Sequence, residues 1–137
     1  MLVWSRAESF ECPEVQMAIQ RMMMVTIQVR DFDSMVTWYR DVLGLKVLAL
    51  EEDEFCLLRA PHGSATIGLA TDHPDRIPER PGVGWSPSFA VDDFDAFVAG
   101  LRSRGVTFDA TEEGADEGYR LVRVRDPEGN AVGIAAG

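Results

Sequence analysis

The chain has 137 residues, 46% of them hydrophobic, which suffices for one compact domain or for two small modules that share a core. Its formal net charge of −10 at pH 7 argues against nucleic acid and an anionic membrane surface as partners. A cationic or neutral ligand is easier to accommodate.

Membrane and export signals are not evident in the sequence. No run approaches the roughly 18 apolar residues of a membrane span. Residues 1–21, interpreted as an N-terminal extension, have neither the basic start nor the continuous apolar core of a secretory signal. Cys12 and Cys56 are too few for a disulfide framework and lie in no metal-like spacing, so we expect a reducing cytoplasm.

The first predicted element is a strand. Hydrophobic and polar residues alternate from Val25 to Arg30, the period of two that is typical of a strand with one apolar face. The opposite face then carries Met24, Thr26 and Gln28.

A helix of about ten residues is predicted next. We expect Asp33 to cap its N-terminus and Gly44 to end it in a left-handed conformation. The residues expected to be buried recur at helical spacing: Val36, Tyr39, and Val42 or Leu43.

Three strands complete the first half of the chain. We expect them at residues 47–50, 55–58 and 65–70. The acidic hairpin loop at 51–54 is interpreted as solvated. Residues 71–84 hold several prolines and glycines among charges, and are interpreted as a linker and not as a structural element.

The second half, residues 85–137, predicts the same order of elements. Strands are expected at 86–91, 106–108, 120–124 and 131–135. Asp93 is predicted to cap the helix and Gly105 to end it. The buried face of this helix is expected to carry Phe94, Phe97, Val98 and Leu101.

The two halves also repeat each other in sequence. V-R-D-F-D-S-M-V at 29–36 matches V-D-D-F-D-A-F-V at 91–98, an offset of about 62 residues. R-A-P-H-G-S-A at 59–65 recurs as R-D-P-E-G-N-A at 125–131. The chain therefore reads as a duplication, with one module at 22–70 and the other at 85–137.

Three motifs together resemble the vicinal oxygen chelate superfamily of glyoxalase I, extradiol dioxygenases, fosfomycin-resistance enzymes and bleomycin-resistance proteins. They are a strand ending V-x-D, Trp38-Tyr39 before Leu43-Gly44-Leu45, and D-P-E-G-N at 126–130 before a final strand. The resemblance covers residues 22–135. It implies an α+β fold of tandem βαβββ modules, whose mixed sheet curls around a cleft, usually in a homodimer. Enzymes of the family hold a divalent metal there through His and Glu side chains.

The positions that the resemblance assigns to metal ligands carry other residues in this sequence: Met24, Gly68, Ser86 and Gly133. A thioether, a hydroxyl and two hydrogens cannot hold Zn²⁺, Ni²⁺ or Fe²⁺ in an ordinary geometry. His62 lies in a predicted turn and His73 in the predicted linker, and both are interpreted as solvated. We therefore predict no metal, no other cofactor and no catalytic residue.

The sequence favours a metal-free binding protein that sequesters a small molecule, such as an antibiotic, as the bleomycin-resistance branch does. An acidic protein suits a cationic ligand. The residues expected to line the cleft are Met24, Thr26, Gln28, Trp38, Gly68, Trp85, Ser86, Ser88, Tyr119, Arg123 and Gly133. Two interpretations of the glycines stay open: room for a ligand, or close approach of facing strands or of a dimer partner. For the aromatic residues the alternative is core packing.

Two other functions remain as alternatives. The first is a vicinal oxygen chelate enzyme of the lyase, isomerase or dioxygenase kind, using a metal bound unconventionally or acid–base residues without a metal. Its available titratable groups are Tyr39, His62, Asp126 and Glu128, and no pair has a spacing that selects a mechanism. The second is a regulatory module in which side chains fill the cleft.

Overall fold

The computed structural model describes residues 19, 22–63, 65–79, 85–109, 112, 114 and 118–137. The predicted N-terminal extension, residues 1–21, lies outside this part of the chain except for Ile19. Within the described ranges, no helix is long and apolar enough to cross a membrane.

The first sheet has four strands in the order β1-β4-β3-β2. These strands are β1 (Val25–Gln28), β2 (Lys46–Glu51), β3 (Phe55–Arg59) and β4 (Thr66–Ala70). β1 pairs in parallel with β4, whereas the other two pairs are antiparallel. A parallel pair needs a long crossover connection, and the helix between β1 and β2 is the first part of that connection.

That helix, α1 (Phe32–Thr37), is capped by Asp31 and not by Asp33 as predicted. The carboxylate of Asp31 accepts hydrogen bonds from the backbone N–H and the hydroxyl of Ser34, at 3.1 and 2.9 Å. Asp33 instead lies in the first helical turn, where a negative charge faces the positive end of the helix dipole. The cap was therefore predicted two residues too late.

The helix continues as a π-helical segment, Trp38–Val42, in which the N–H of Leu43 donates to the carbonyl of Trp38 at 3.1 Å. Gly44 ends it at φ +84°, as predicted. The predicted buried face is confirmed for Val36, Tyr39 and Leu43. These side chains lie against the face of the first sheet that carries Ile27, Cys56, Leu58 and Leu69, and all of them belong to one hydrophobic core.

The opposite face of the first sheet is called the inner face below. Strand alternation assigns to it the residues of β3 that alternate with the fully buried Cys56 and Leu58, namely Phe55, Leu57 and Arg59. The inner face is partly open to solvent.

The predicted linker contains a short 3₁₀ helix, Pro74–Arg76. The prediction that this segment holds no structural element was therefore wrong for these residues. Pro74 stands at the first helical position, where its missing N–H costs nothing. Residues 80–84 of the predicted linker lie outside the described ranges.

The second sheet has three strands in the order β5-β7-β6. They are β5 (Ser88–Val91), β6 (Leu121–Arg125) and β7 (Ala131–Ala136), and β5 runs parallel to β7. Helix α2 (Phe94–Ser103) follows β5. Its predicted cap is confirmed, since the Asp93 carboxylate accepts the N–H of Ala96 at 3.1 Å. Gly105 follows the helix with φ +78°, also as predicted.

The strand predicted at 106–108 is reduced to one isolated bridge between Phe108 and Val124. The N–H of Val106 donates to the carbonyl of Leu101 at the end of α2, so it is not available to a strand partner. Pairing is therefore limited to the few residues around Phe108. The mixed sheets with two helices otherwise agree with the predicted α+β fold.

Candidate functional site

The strand register of the first sheet aligns side chains of its inner face in rows. One row carries Thr26, Gly68, Leu57 and Ala49. The next row carries Gln28, Ala70, Phe55 and Glu51. All four residues of the second row line a cavity.

This cavity has a volume of about 550 Å³. Its floor is the inner face around Phe55, and its rim combines the hairpin loop after β2 with the segment after β4. The lining residues are Thr26, Gln28, Glu51, Glu54, Phe55, Ala70, Asp72, His73 and Arg76. We call it the inner-face cavity.

A hydrogen-bonded group holds one wall of the cavity in place. The Gln28 amide donates to Asp72 at 3.1 Å and accepts the backbone N–H of His73 at 2.8 Å. The hydrogen bond from Gln28 lowers the pKa of Asp72, and the charges of His73 and Arg76 act in the same direction. Asp72 is therefore a carboxylate at neutral pH.

The acidic hairpin loop is tied to the same wall. The Thr71 hydroxyl donates to the carbonyl of Asp53 at 2.7 Å, and the Thr71 N–H donates to the carbonyl of Glu54 at 3.1 Å. Glu51 and Glu54 consequently line the cavity, and interpreting this loop only as solvated was incomplete. Among the described lining residues, Glu51, Glu54 and Asp72 provide three carboxylates and Arg76 one guanidinium.

Gly68 and Gly133 stand at two of the positions that the resemblance assigns to metal ligands. The structure leaves no room there for a longer side chain. A Cβ on Gly68 would lie 2.9 Å from the Phe55 ring and 3.0 Å from the Thr26 hydroxyl. A Cβ on Gly133 would collide with the Ser88 hydroxyl and lie 3.1 Å from Leu121. Side chains of neighbouring strands therefore occupy the space beside both glycines.

A divalent metal does not fit the residues at these positions. Neighbouring side chains occupy the space beside Gly68 and Gly133, while Met24 and Ser86 offer a thioether and a hydroxyl. Within the described ranges, no three His, Cys, Asp or Glu side chains come together as metal ligands.

The second sheet carries three of the predicted cleft residues. Ser88, Gly133 and Arg123 form one row of its register. The Arg123 guanidinium donates to the Ser86 hydroxyl at 3.1 Å. Trp85, Ser86 and Ser88 also line a groove of about 390 Å³, together with Thr66 and other residues of the first module. These residues thus lie apart from the inner-face cavity.

Most of the aromatic residues of the predicted site pack against other side chains of the protein. The Trp38 ring meets the Tyr39 ring edge-on with centroids 5.0 Å apart, and the Trp85 indole donates to the Tyr39 hydroxyl at 3.4 Å. Tyr119 is 50% exposed, and its ring lies against Gly114.

The hydroxyl of Tyr39 donates to the Asp126 carboxylate at 2.8 Å. Burial raises the pKa of Tyr39 well above its ordinary value, and the negative charge of Asp126 adds to the shift. Tyr39 is therefore a neutral donor, and it and Asp126 are both buried.

Of the residues predicted from the sequence, Thr26 and Gln28 line the inner-face cavity and Gly68 borders it. Met24 precedes β1 and is 40% exposed. The described lining residues that were not predicted from the sequence are Glu51, Glu54, Phe55, Ala70, Asp72, His73 and Arg76. The alternation along residues 55–59 could have identified Phe55, but no periodic pattern predicts that the segment after β4 returns to the sheet.

The sequence model of the Glyoxalase/Bleomycin resistance protein/Dioxygenase superfamily matches residues 21–134. The chain therefore belongs to this superfamily, in agreement with the resemblance drawn from its motifs. No match was found among curated proteins.

Solved structures share the fold over most of the chain. A superfamily member from Sphaerobacter thermophilus is 24% identical, with a TM-score of 0.70 and coverage of 87% of this chain and 98% of that one. The antibiotic binding protein TnmS3 from Streptomyces sp. CB03234 is 23% identical (TM-score 0.71, coverage 87% and 97%). Lactoylglutathione lyase from Agrobacterium tumefaciens is 22% identical (TM-score 0.68, coverage 87% and 95%). At these identities the similarity defines the fold alone.

Proposed function

We propose that the protein binds a small organic cation in the inner-face cavity, without a metal and without catalysing a reaction. The observation that carries the proposal is the composition of the cavity, where an aromatic ring, Phe55, is combined with Glu51, Glu54 and Asp72. Carboxylates attract a cation by charge, and the face of an aromatic ring attracts it through its quadrupole.

Antibiotics are the ligand class that we propose within this function. TnmS3, which shares the fold, is an antibiotic binding protein. A homodimer also belongs to the proposal. All the described residues that line the cavity lie between 26 and 76, so the second module supplies none of them, and we propose that a second copy covers the open side. We propose the reducing cytoplasm as the compartment, since Cys56 is a buried free thiol.

The test is calorimetric titration with ethidium, an aromatic cation, against the wild type and a Glu51→Gln/Glu54→Gln double variant. Losing two partly exposed charges should weaken binding about three- to tenfold. The matched control is Glu52→Gln, which removes the same charge from the same loop at a residue that does not line the cavity. Its dissociation constant should stay within about twofold. No binding by the wild type, or an equal loss in the control, contradicts the proposal.

The alternative is an enzyme of the superfamily, because lactoylglutathione lyase shares the fold to a similar extent. The four titratable groups considered for it do not line the cavity: Tyr39, His62, Asp126 and Glu128. Stoichiometric divalent metal in protein purified without chelator, together with metal-dependent turnover, would favour the enzyme. The regulatory alternative requires a filled cleft, which a cavity of about 550 Å³ does not support.

A further inference from the structure

Arg59 stands on the inner face of the first sheet, at the end of β3 away from the cavity. The register pairs it with Lys46 on β2 and with Thr66 on β4. It is half-buried, whereas its neighbour Leu58 faces the core and is fully buried. Two basic side chains therefore stand side by side on this face.

One N–H of the Arg59 guanidinium is buried without an acceptor. Its Nε is buried without a hydrogen-bond partner, and no side chain in the described ranges forms an ion pair with Arg59 or Lys46. Other arginines of the described part are paired, such as Arg120 with Glu112 and Arg125 with Asp109.

A buried donor without an acceptor is costly and uncommon in folded proteins. The Thr66 hydroxyl beside Arg59 donates to the carbonyl of Met23. Since no hydrogen bond holds the guanidinium in its present orientation, turning it toward a ligand breaks none. The buried Nε–H of Arg59 is thus available to an acceptor on a ligand.

We infer that Arg59 and Lys46 bind a carboxylate at the far end of the same ligand whose cationic group enters the inner-face cavity. This inference rests on the proposed function. One planar guanidinium matches one carboxylate through two parallel hydrogen bonds, and the ammonium of Lys46 adds a second charge.

The spacing of the two ends defines the class of ligand. Arg59 lies four residues along β3 from Phe55, which corresponds to about 13 Å of strand. This separation exceeds the screening length of about 8 Å at physiological salt, so the two charged ends do not neutralise each other. The row between them carries Leu57 and Ala49. The ligand is therefore an elongated zwitterion with an apolar middle.

The experiment uses two synthetic biphenyls in calorimetric titrations. Both carry a quaternary ammonium group at one end. At the other end one has a carboxylate and the other a carboxamide. The wild type should bind the carboxylate about tenfold to a hundredfold more tightly than the carboxamide. In Arg59→Met this difference should fall to about the threefold that Lys46 contributes, while affinity for the carboxamide stays within about twofold.

Two further variants provide a second test of the carboxylate site and a control for the loss of a positive charge. Lys46→Met, at an exposed residue, should reduce the difference about threefold even if Arg59→Met folds poorly. Arg40→Met removes a charge that pairs with Asp41 on the helix, and it should preserve the full difference.

The outcomes separate this inference from the proposed function. Equal binding of both biphenyls by the wild type overturns the carboxylate site and leaves the cation site intact. Arg59-dependent binding of the carboxylate without any binding of the carboxamide supports the carboxylate site and contradicts the cation site. An equal loss of both ligands in Arg59→Met indicates a purely structural role, and failure of the wild type to bind either ligand overturns both proposals.

Discussion

A single hydroxyl, that of Tyr39, links the helix of the first module to the final turn of the second. It donates to Asp126, which also accepts hydrogen bonds from the backbone of Glu128 and from the backbone and amide of Asn130. The same hydroxyl accepts the hydrogen bond from Trp85. Tyr39 must remain protonated to donate, so the stability of the whole contact depends on pH.

Raising the pH above about 10 should destabilise the wild type through Tyr39. In the unfolded chain this tyrosine releases its proton near pH 10, whereas burial raises its pKa in the folded protein. Below pH 10 both states hold the proton. Above it the unfolded state binds fewer protons, so the free energy of unfolding falls by about 1.4 kcal/mol per pH unit. Urea titrations between pH 8 and 11 measure this slope.

The matched control for this slope is Tyr119→Phe, because Tyr119 is half exposed. It should retain the full slope, whereas Tyr39→Phe should lose the part of the slope that Tyr39 contributes. Tyr39→Phe should also be about 1–3 kcal/mol less stable at pH 8, since a buried acceptor loses its donor. Burial also raises the pKa of the Cys56 thiol, which acts in the same direction in every variant. Identical slopes in both phenylalanine variants would refute this account of Tyr39.

At the scale of elements, the start of α1 depends on Asp31. Asp31→Ala should lower the free energy of unfolding by about 1 kcal/mol, because the N–H of Ser34 loses its acceptor. Asp33→Ala is the control, since it removes the same charge without removing the cap, and it should cost less. Urea titration of both variants at pH 7 gives the comparison, and a larger loss in Asp33→Ala would disprove the assignment.

Most of the predictions about the helices and strands were based on the sequence repeat. It aligns Asp31 with Asp93, and taking that alignment literally would have yielded the correct cap for α1 as it did for α2. The π-helical segment was not predictable from periodicity. It accompanies long-range contacts such as that of Tyr39 with Asp126, 87 residues away. The short strand around Phe108 depends likewise on a backbone contact at the end of α2.

The candidate site was less predictable than the fold. Thr26 and Gln28 followed from the alternation in β1, because the apolar face of a strand also defines its other face. Glu54 and His73 could not be predicted from the sequence pattern, since their positions depend on how Thr71 and Gln28 bind the loops around the sheet. Sequence pattern reports the faces of elements, whereas tertiary hydrogen bonds decide which loop residues line the cavity.

At the scale of the whole molecule, the two modules are joined by a carboxylate. Glu128, in the turn before β7, accepts the backbone N–H groups of Arg30 and Asp31 at 2.6 and 2.7 Å. These donors immediately precede α1, so the turn of the second module supports the helix start of the first. The repeat assigns His62 to the equivalent position in the first module, where it is exposed.

Glu128→Ala should therefore reduce stability far more than His62→Ala. Hydrogen bonds to a charged group contribute about 1.5–3 kcal/mol, and Glu128 forms two, while an exposed residue without such contacts contributes about 0.5 kcal/mol or less. Urea titration gives the stability of both variants, and hydrogen exchange at Arg30 and Asp31 reports the contact itself. Faster exchange at these two amides in Glu128→Ala only would locate the loss at the junction. An equal loss in both variants would mean that the modules are held together by their shared core, without a measurable part for this carboxylate.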